Sequence, residues 1–175
     1  DSLTQVEITS ADESQVLARV GQVNAGLIRR DLRRVKDRFQ RLQQVSIAHM
    51  LDICAEAAQL FLEAELPVCD GLTQTPDDYV RMLSATCGLP HALIRGNMEK
   101  IAHVLANMST VLKGLTRDLD FSVLETGLAR QHEVLLSYFP ATTNLGLVLP
   151  SNSPGVNSLW LPALALRIPV VLKPG

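Results

Sequence analysis

An asparagine and a lysine stand where the chain is otherwise apolar. Asn152 follows the run Leu145–Leu149 and Pro150, and Lys173 ends the run Pro169-Val-Val-Leu172. A carboxamide N–H just beyond a strand can donate to an oxygen that gains negative charge. Acyl chemistry needs such a donor at its tetrahedral stage, where one of them can lower the barrier by roughly 3 kcal/mol. A lysine ammonium at a strand's end suits a ribose hydroxyl or a phosphate. Each residue also has a plainer use. A turn asparagine can bond only its own backbone, and a strand-end lysine can simply be solvated.

The surrounding residues say how the two would be positioned. Leu145 to Leu149 is a short apolar run that stops at Pro150. Ser153-Pro154 supplies an N-cap and a proline at the first helical position. Leu159 to Leu166 is apolar on nearly every side, as a helix buried against a sheet would be. A strand–helix–strand unit of this length feeds a parallel sheet. In an open parallel sheet, ligands bind beyond the carboxyl ends of the strands, and both Asn152 and Lys173 fall there.

The motifs Pro150-Ser-Asn-Ser-Pro154, Trp160, Ala163-Leu-Ala165 and Val170-Val-Leu-Lys-Pro174, in that order, resemble the aldehyde dehydrogenase superfamily. The resemblance covers residues 144–175. It departs from the family pattern in two places: Ser151 stands where the family has Trp, and the helix after Trp160 is shorter. The upstream layout, with Pro76-Asp-Asp-Tyr79 and Cys87-Gly-Leu-Pro90, looks more like the fatty acyl-CoA reductases of the superfamily, which tolerate a small residue before the asparagine. The resemblance implies an oxidoreductase that uses NAD or NADP on an aldehyde or an acyl thioester. It makes Asn152 the oxyanion donor and Lys173 the contact to the adenosine ribose. Val148, Leu149, Pro150 and Ser151 would line the cofactor cleft. It also implies a homo-oligomer, and a cysteine nucleophile and a carboxylate further along than Lys173.

Upstream, the spacing predicts helices. Ser10-Ala-Asp-Glu13 has the form of a capping box, giving a helix from about Ala11 to Val23. Ile28, Leu32, Val35, Phe39 and Leu42 step by four and three, giving one long amphipathic helix from about Gly26 to Leu42. A further helix runs from Ser46 to Glu65, and Val68 to Gln74 is expected to be a loop containing Cys69. Thr75-Pro-Asp-Asp78 opens a helix that Gly88 stops. After Pro90, Ile94, Met98, Ile101, Leu105, Met108, Leu112 and Leu115 make an unbroken stripe, whose methionines belong to packing. From Glu125 the pattern turns strand-like, and Glu133 to Phe139 suggests an extended or hairpin segment. The expected class is α/β. Residues 1–125 form a helical region, 126–144 an extended connector, and 145–175 the start of an NAD(P)-binding domain.

The remaining residues narrow the function. The 175-residue chain is 47% hydrophobic and 4% aromatic, so aliphatic side chains must supply its core. A net charge of −2 gives no global attraction to nucleic acid or acidic membranes. Neither class of partner is expected. The first fifteen residues are polar and acidic, unlike a secretory leader. Cys54, Cys69 and Cys87 are odd in number and irregularly spaced, which fits free thiols in a reducing, cytoplasmic compartment. Cys54 and Cys87 fall in predicted helices and suit packing. His49, His91, His103 and His132 lack metal-ligand or triad spacing. No glycine-rich dinucleotide fingerprint and no phosphate-binding loop is present. Parallel sheets are buried on both faces, so a single strand–helix–strand unit calls for more chain. The sequence is therefore expected to be the N-terminal part of a longer enzyme and inactive by itself. The run from Arg29 to Arg38, with Arg41, holds seven cations and two anions. It suits the solvated face of an amphipathic helix, or else a non-enzymatic domain that binds a partner or nucleic acid.

Overall fold

The computed structural model describes residues 4–69, 71–150 and 153–174. The chain opens with an antiparallel hairpin, β1 (Gln5–Thr9) and β2 (Val16–Gly21). This corrects the helix expected over 11–23. Val6, Ile8, Val16 and Val20 are β-branched, and Val6 pairs with Val20 across the ribbon. The Ser10–Ser14 segment acts as a turn. The Asp12 carboxylate accepts from Ser10 Oγ at 2.5 Å and Ser14 Oγ at 2.8 Å, and Ser10 Oγ accepts from the Gln15 amide at 3.0 Å. Side chains that bond locally in this way compete with a helix. Glu13 adopts φ 58°, which a helix excludes.

The expected long helix is two: α1 (Ala25–Leu32), capped by Asn24 Oδ1 on the Leu27 amide, and α2 (Val35–Gln43). α3 (Ile47–Glu63) starts on Ser46, whose hydroxyl accepts from the His49 amide. The expected loop over 68–74 is a second hairpin, β3 (Leu66–Cys69) and β4 (Leu72–Gln74). The Asp70-Gly71 dipeptide was its signal, and Gly71 takes φ +74°. α4 (Pro76–Cys87) has the full capping box between Thr75 and Asp78 and ends on left-handed Gly88. These hydrogen bonds from Thr75 hold the Asp78 carboxyl below its usual range.

The long stripe after Pro90 is also broken, into α5 (His91–Ala106) and α6 (Met108–Thr116). Asn107 Nδ2 donates to the His103 carbonyl at 2.9 Å, so the side chain closes α5 where its backbone would continue it. α7 (Ser122–Thr126) follows, then the hairpin β5 (Leu128–Gln131) and β6 (Val134–Ser137), which is the hairpin-like segment expected before residue 140. The region 1–125 therefore holds two hairpins besides its helices.

β7 (Leu145–Val148) and β8 (Val170–Lys173) pair in parallel, Leu145 opposite Val170 and Val148 opposite Lys173. Among the described residues the sheets are four two-stranded ribbons. The crossover expected to be one helix over 154–166 comes in two pieces, a 3₁₀ segment (Pro154–Leu159) and α8 (Leu161–Ala165). Pro162 removes a donor in the first turn of α8, which is where a helix tolerates the loss. Leu145, Leu147 and Val170 are half-buried, whereas Gly146, Val148, Val171 and Lys173 on the opposite face are exposed.

One core joins the crossover to the helices. Leu161 and Ala165 of α8 are buried with Ile47, Cys54, Ile101, Met108 and Leu112 of α3, α5 and α6. A second cluster, Val80, Ile94 and Met98, joins α4 to α5. Arg167, 3% exposed, fastens this arrangement. Its guanidinium donates to the carbonyls of Gln43 (2.9 Å), Val45 (3.0 Å) and Leu124. Burial pushes its pKa down, while the nearby Glu125 carboxylate pushes it up.

Candidate functional site

A cleft of about 580 Å³ opens beyond the carboxyl ends of β7 and β8. Leu149, Pro150, Leu172 and Pro174 give it one side, directly from the strand ends. α4 gives the opposite wall through Tyr79, Leu83, Thr86 and Cys87, and Ile8 of the first hairpin closes one edge. Ser153, Pro154, Val156 and Asn157 bring in the start of the crossover. Each element arrives by a bond already described or by one more. The Leu149 amide donates to the Lys173 carbonyl at 3.0 Å, which extends the parallel ladder into the turn. The Ala11 amide donates to the Ala85 carbonyl at 2.8 Å and ties the first hairpin to α4.

The chemistry of the cleft is mild. Among the described residues no lining side chain carries a full charge at neutral pH. Tyr79 packs edge-on against Phe61, ring centres 5.6 Å apart. Burial holds its phenol above the usual value, and the neighbouring Cys87 thiol adds to the effect. Cys87 Sγ donates to the Leu83 carbonyl at 2.8 Å. Asn157 accepts from the Trp160 indole at 3.1 Å and donates to the Pro154 carbonyl at 3.1 Å, so the indole is coupled to the cleft wall. A volume in this range, apolar walls and a few placed polar groups are the usual make-up of a small-molecule site.

The residues singled out from the sequence fare differently. Leu149 and Pro150 line the cleft. Val148 is 76% exposed on the far face of the ribbon, opposite Lys173. Lys173 is exposed, and its ammonium donates to the Pro174 carbonyl at 3.1 Å while Leu172 and Pro174 on either side face the cleft. Asn152 and Ser151 lie outside the described residues. The described residues 150 and 153 flank them, and both border the cleft.

The α4 wall went unread in the sequence. Tyr79, Leu83, Thr86 and Cys87 recur at helical spacing, but a single helical face does not reveal what lies opposite it. Cys87 is half-buried and borders open space, so it is more than the packing thiol expected. Cys54 is buried, and burial raises its pKa. Cys69 is exposed and ends β3, where a loop was expected. Among the described residues no group of three metal-ligating side chains converges, and no helix is long and apolar enough to cross a membrane. Comparison of the chain with family models, with curated proteins and with solved structures returned no match.

Proposed function

We propose that this chain forms the N-terminal part of an NAD(P)-dependent oxidoreductase of the aldehyde dehydrogenase type, acting on an aldehyde or an acyl thioester. The observation that carries the reading is the cleft at the carboxyl ends of two parallel strands, bordered by Leu149, Pro150, Ser153 and Pro154. That is where a parallel nucleotide-binding unit receives its ligand. The motif resemblance over 144–175 supports the same reading, and the upstream layout favours the acyl-CoA reductase branch.

The cleft suits the flat, uncharged part of a dinucleotide. Leu149, Pro150, Leu172 and Pro174 offer apolar contact, and Lys173, exposed beside the cleft and outside its lining, would exchange its bond to the Pro174 carbonyl for a ribose hydroxyl or phosphate that extends past the strand ends. When bound, the cofactor supplies or accepts hydride. The chain's own part is to bind, to exclude water with apolar walls, and to present Asn152 as hydrogen-bond donor to the substrate oxygen. The cysteine nucleophile that the reading requires would come from sequence following Gly175.

Two measurements test this. The chain carries a single tryptophan, coupled to the cleft through Asn157. Titration with NAD and NADP, followed by calorimetry and by Trp160 emission, is expected to show saturable binding that Lys173→Ala weakens by about 1–3 kcal/mol. In a parent enzyme carrying the nucleophile, Asn152→Ala is expected to lower kcat by roughly a hundredfold or more with cofactor affinity little changed. A normal kcat with a lowered melting temperature would remove Asn152 from the chemistry. Absence of dinucleotide binding would remove the cofactor.

A further inference from the structure

α1 leaves an amphipathic surface without a partner, whereas the apolar side chains Val35, Phe39 and Leu42 of α2 are half-buried and α2 contributes its exposed cations. Among the described residues, no residue of either helix is buried. Leu27, Ile28 and Leu32 on α1 are 37%, 43% and 39% exposed, and Val23 before the cap is 63% exposed. Ile28 and Leu32, one turn apart, share a face. Around them stand Arg29, Arg30, Arg33, Arg34, Lys36, Arg38 and Arg41 against Asp31 and Asp37, a local charge of 7 − 2 = +5. The remaining residues hold 16 − 7 = 9 cations and 18 − 2 = 16 anions, a charge of −7. Among the described residues Arg30 alone of the seven cations forms an ion pair, with its neighbour Asp31. The sequence expectation of no membrane partner rested on the net charge of −2, which averages over this uneven distribution.

We infer that α1 and α2 dock on an anionic lipid surface, lying flat at the headgroup level without crossing the bilayer. A short helix with exposed leucine and isoleucine on one side and arginines around them meets both phases of a membrane interface. A cluster of four to eight cations beside such a helix is drawn to acidic headgroups. The polarity of the whole chain orients the approach, basic helices toward the lipid and the acidic remainder away. A nucleic acid would use the arginines but leave Ile28 and Leu32 facing phosphate, and exposed aromatics for base stacking are missing from these helices. A second copy is disfavoured by charge. A two-fold contact would set one surface of local charge +5 against an identical one.

The test is co-sedimentation of the chain with phosphatidylcholine vesicles, with and without phosphatidylglycerol, over a salt series. Binding is expected only to the anionic vesicles and to weaken steeply with salt. Replacing Arg29, Arg30 and Arg33 together with glutamine is expected to lower the partition coefficient about a hundredfold. Ile28→Gln with Leu32→Gln is expected to lower it about tenfold or more at unchanged net charge. None of these side chains is buried, so both variants should keep the parent melting temperature, measured alongside. Four results would overturn the inference: no binding to anionic vesicles, equal binding to neutral ones, binding to RNA or duplex DNA without vesicle binding, or self-association that the same substitutions abolish in place of vesicle binding.

Discussion

Arg167 and Gln43 hold each other across 124 positions of sequence. The Arg167 guanidinium donates to the Gln43 carbonyl at 2.9 Å, and the Gln43 side-chain amide donates back to the Arg167 carbonyl at 3.1 Å. The crossover between the parallel strands is thereby locked to the end of α2. Arg167 also occupies the left-handed position that usually belongs to glycine after a helix, with φ 62°. Its amide bonds the Leu164 carbonyl and the Ile168 amide bonds the Ala163 carbonyl, which completes the C-terminal cap of α8.

This geometry predicts that Arg167→Gly is destabilising even though glycine fits the backbone. The strain relieved is about 1 kcal/mol, while three carbonyls lose their donor at roughly 1–3 kcal/mol for each one left buried and unpaired. A net loss of about 3 kcal/mol is expected by chemical denaturation. Arg167→Lys should fall between, since one ammonium cannot reach three carbonyls in a fork. A melting curve for Arg167→Gly at or above that of the parent would show that the clasp carries no stability.

Gly155 faces Asn97 at the start of the crossover. A Cβ added there would lie 2.5 Å from Asn97 Oδ1, inside a buried contact between the 3₁₀ segment and α5. Gly155→Ala is expected to cost about 1–3 kcal/mol through overpacking and to disturb the turn that carries Ser153. Asn97→Ala removes the obstructing amide, so the double variant should recover most of the loss. A thermodynamic cycle on the two sites checks this, and simple additivity would count against the contact.

Asp12 organises the first hairpin, and its titration can be followed. Hydrogen bonds from the Ser10 and then the Ser14 hydroxyls lower its pKa to about 2. The folded value lies below the ordinary one. The contribution to the hairpin is therefore complete above about pH 4 and is lost as pH falls through about 2. Carboxyl chemical shifts should report that pKa directly. Asp12→Asn should abolish the pH dependence of the β1–β2 cross-strand contacts. An ordinary carboxylate pKa at Asp12 would mean that the Ser10–Ser14 turn does not form as described.

What the sequence disclosed depended on how local the signal was. Ser46, Thr75-Pro76 and Gly88 announce helix ends with groups that act within one turn, and each one marks the boundary seen. The parallel pairing of Leu145–Val148 with Val170–Lys173 follows from two apolar runs separated by a crossover. Ser10-Ala-Asp-Glu13 misled because the same residues that cap a helix also close a turn, and Val16, Val20 and Val23, spaced four and three, fit a helix as well as a strand. Asn107 breaks a stripe that periodicity alone would continue. Arg167 looked like an interruption in an apolar segment, because its three acceptors lie at residues 43, 45 and 124 and no local pattern announces them. The cleft was half legible. Leu149 and Pro150 carry a motif, whereas Tyr79 and Cys87 face them only because α4 packs where it does.

That placement makes the cysteines a footprint of the cleft. Thiolate is the reactive form, so exposure and pKa set the order of alkylation. Cys69 is exposed and should react first. Cys87 is half-buried, with its thiol bonded to the Leu83 carbonyl, and should follow. Cys54 is buried, with its pKa raised, and should react last. Iodoacetamide labelling read by peptide mass spectrometry gives the three rates in one experiment. A ligand held against Leu149, Pro150 and Leu172 covers the Cys87 wall as well. Saturating NAD or NADP should therefore slow Cys87 several-fold and leave Cys69 unchanged. Protection of all three would indicate a global tightening of the fold, and protection of none would place the dinucleotide somewhere other than this cleft.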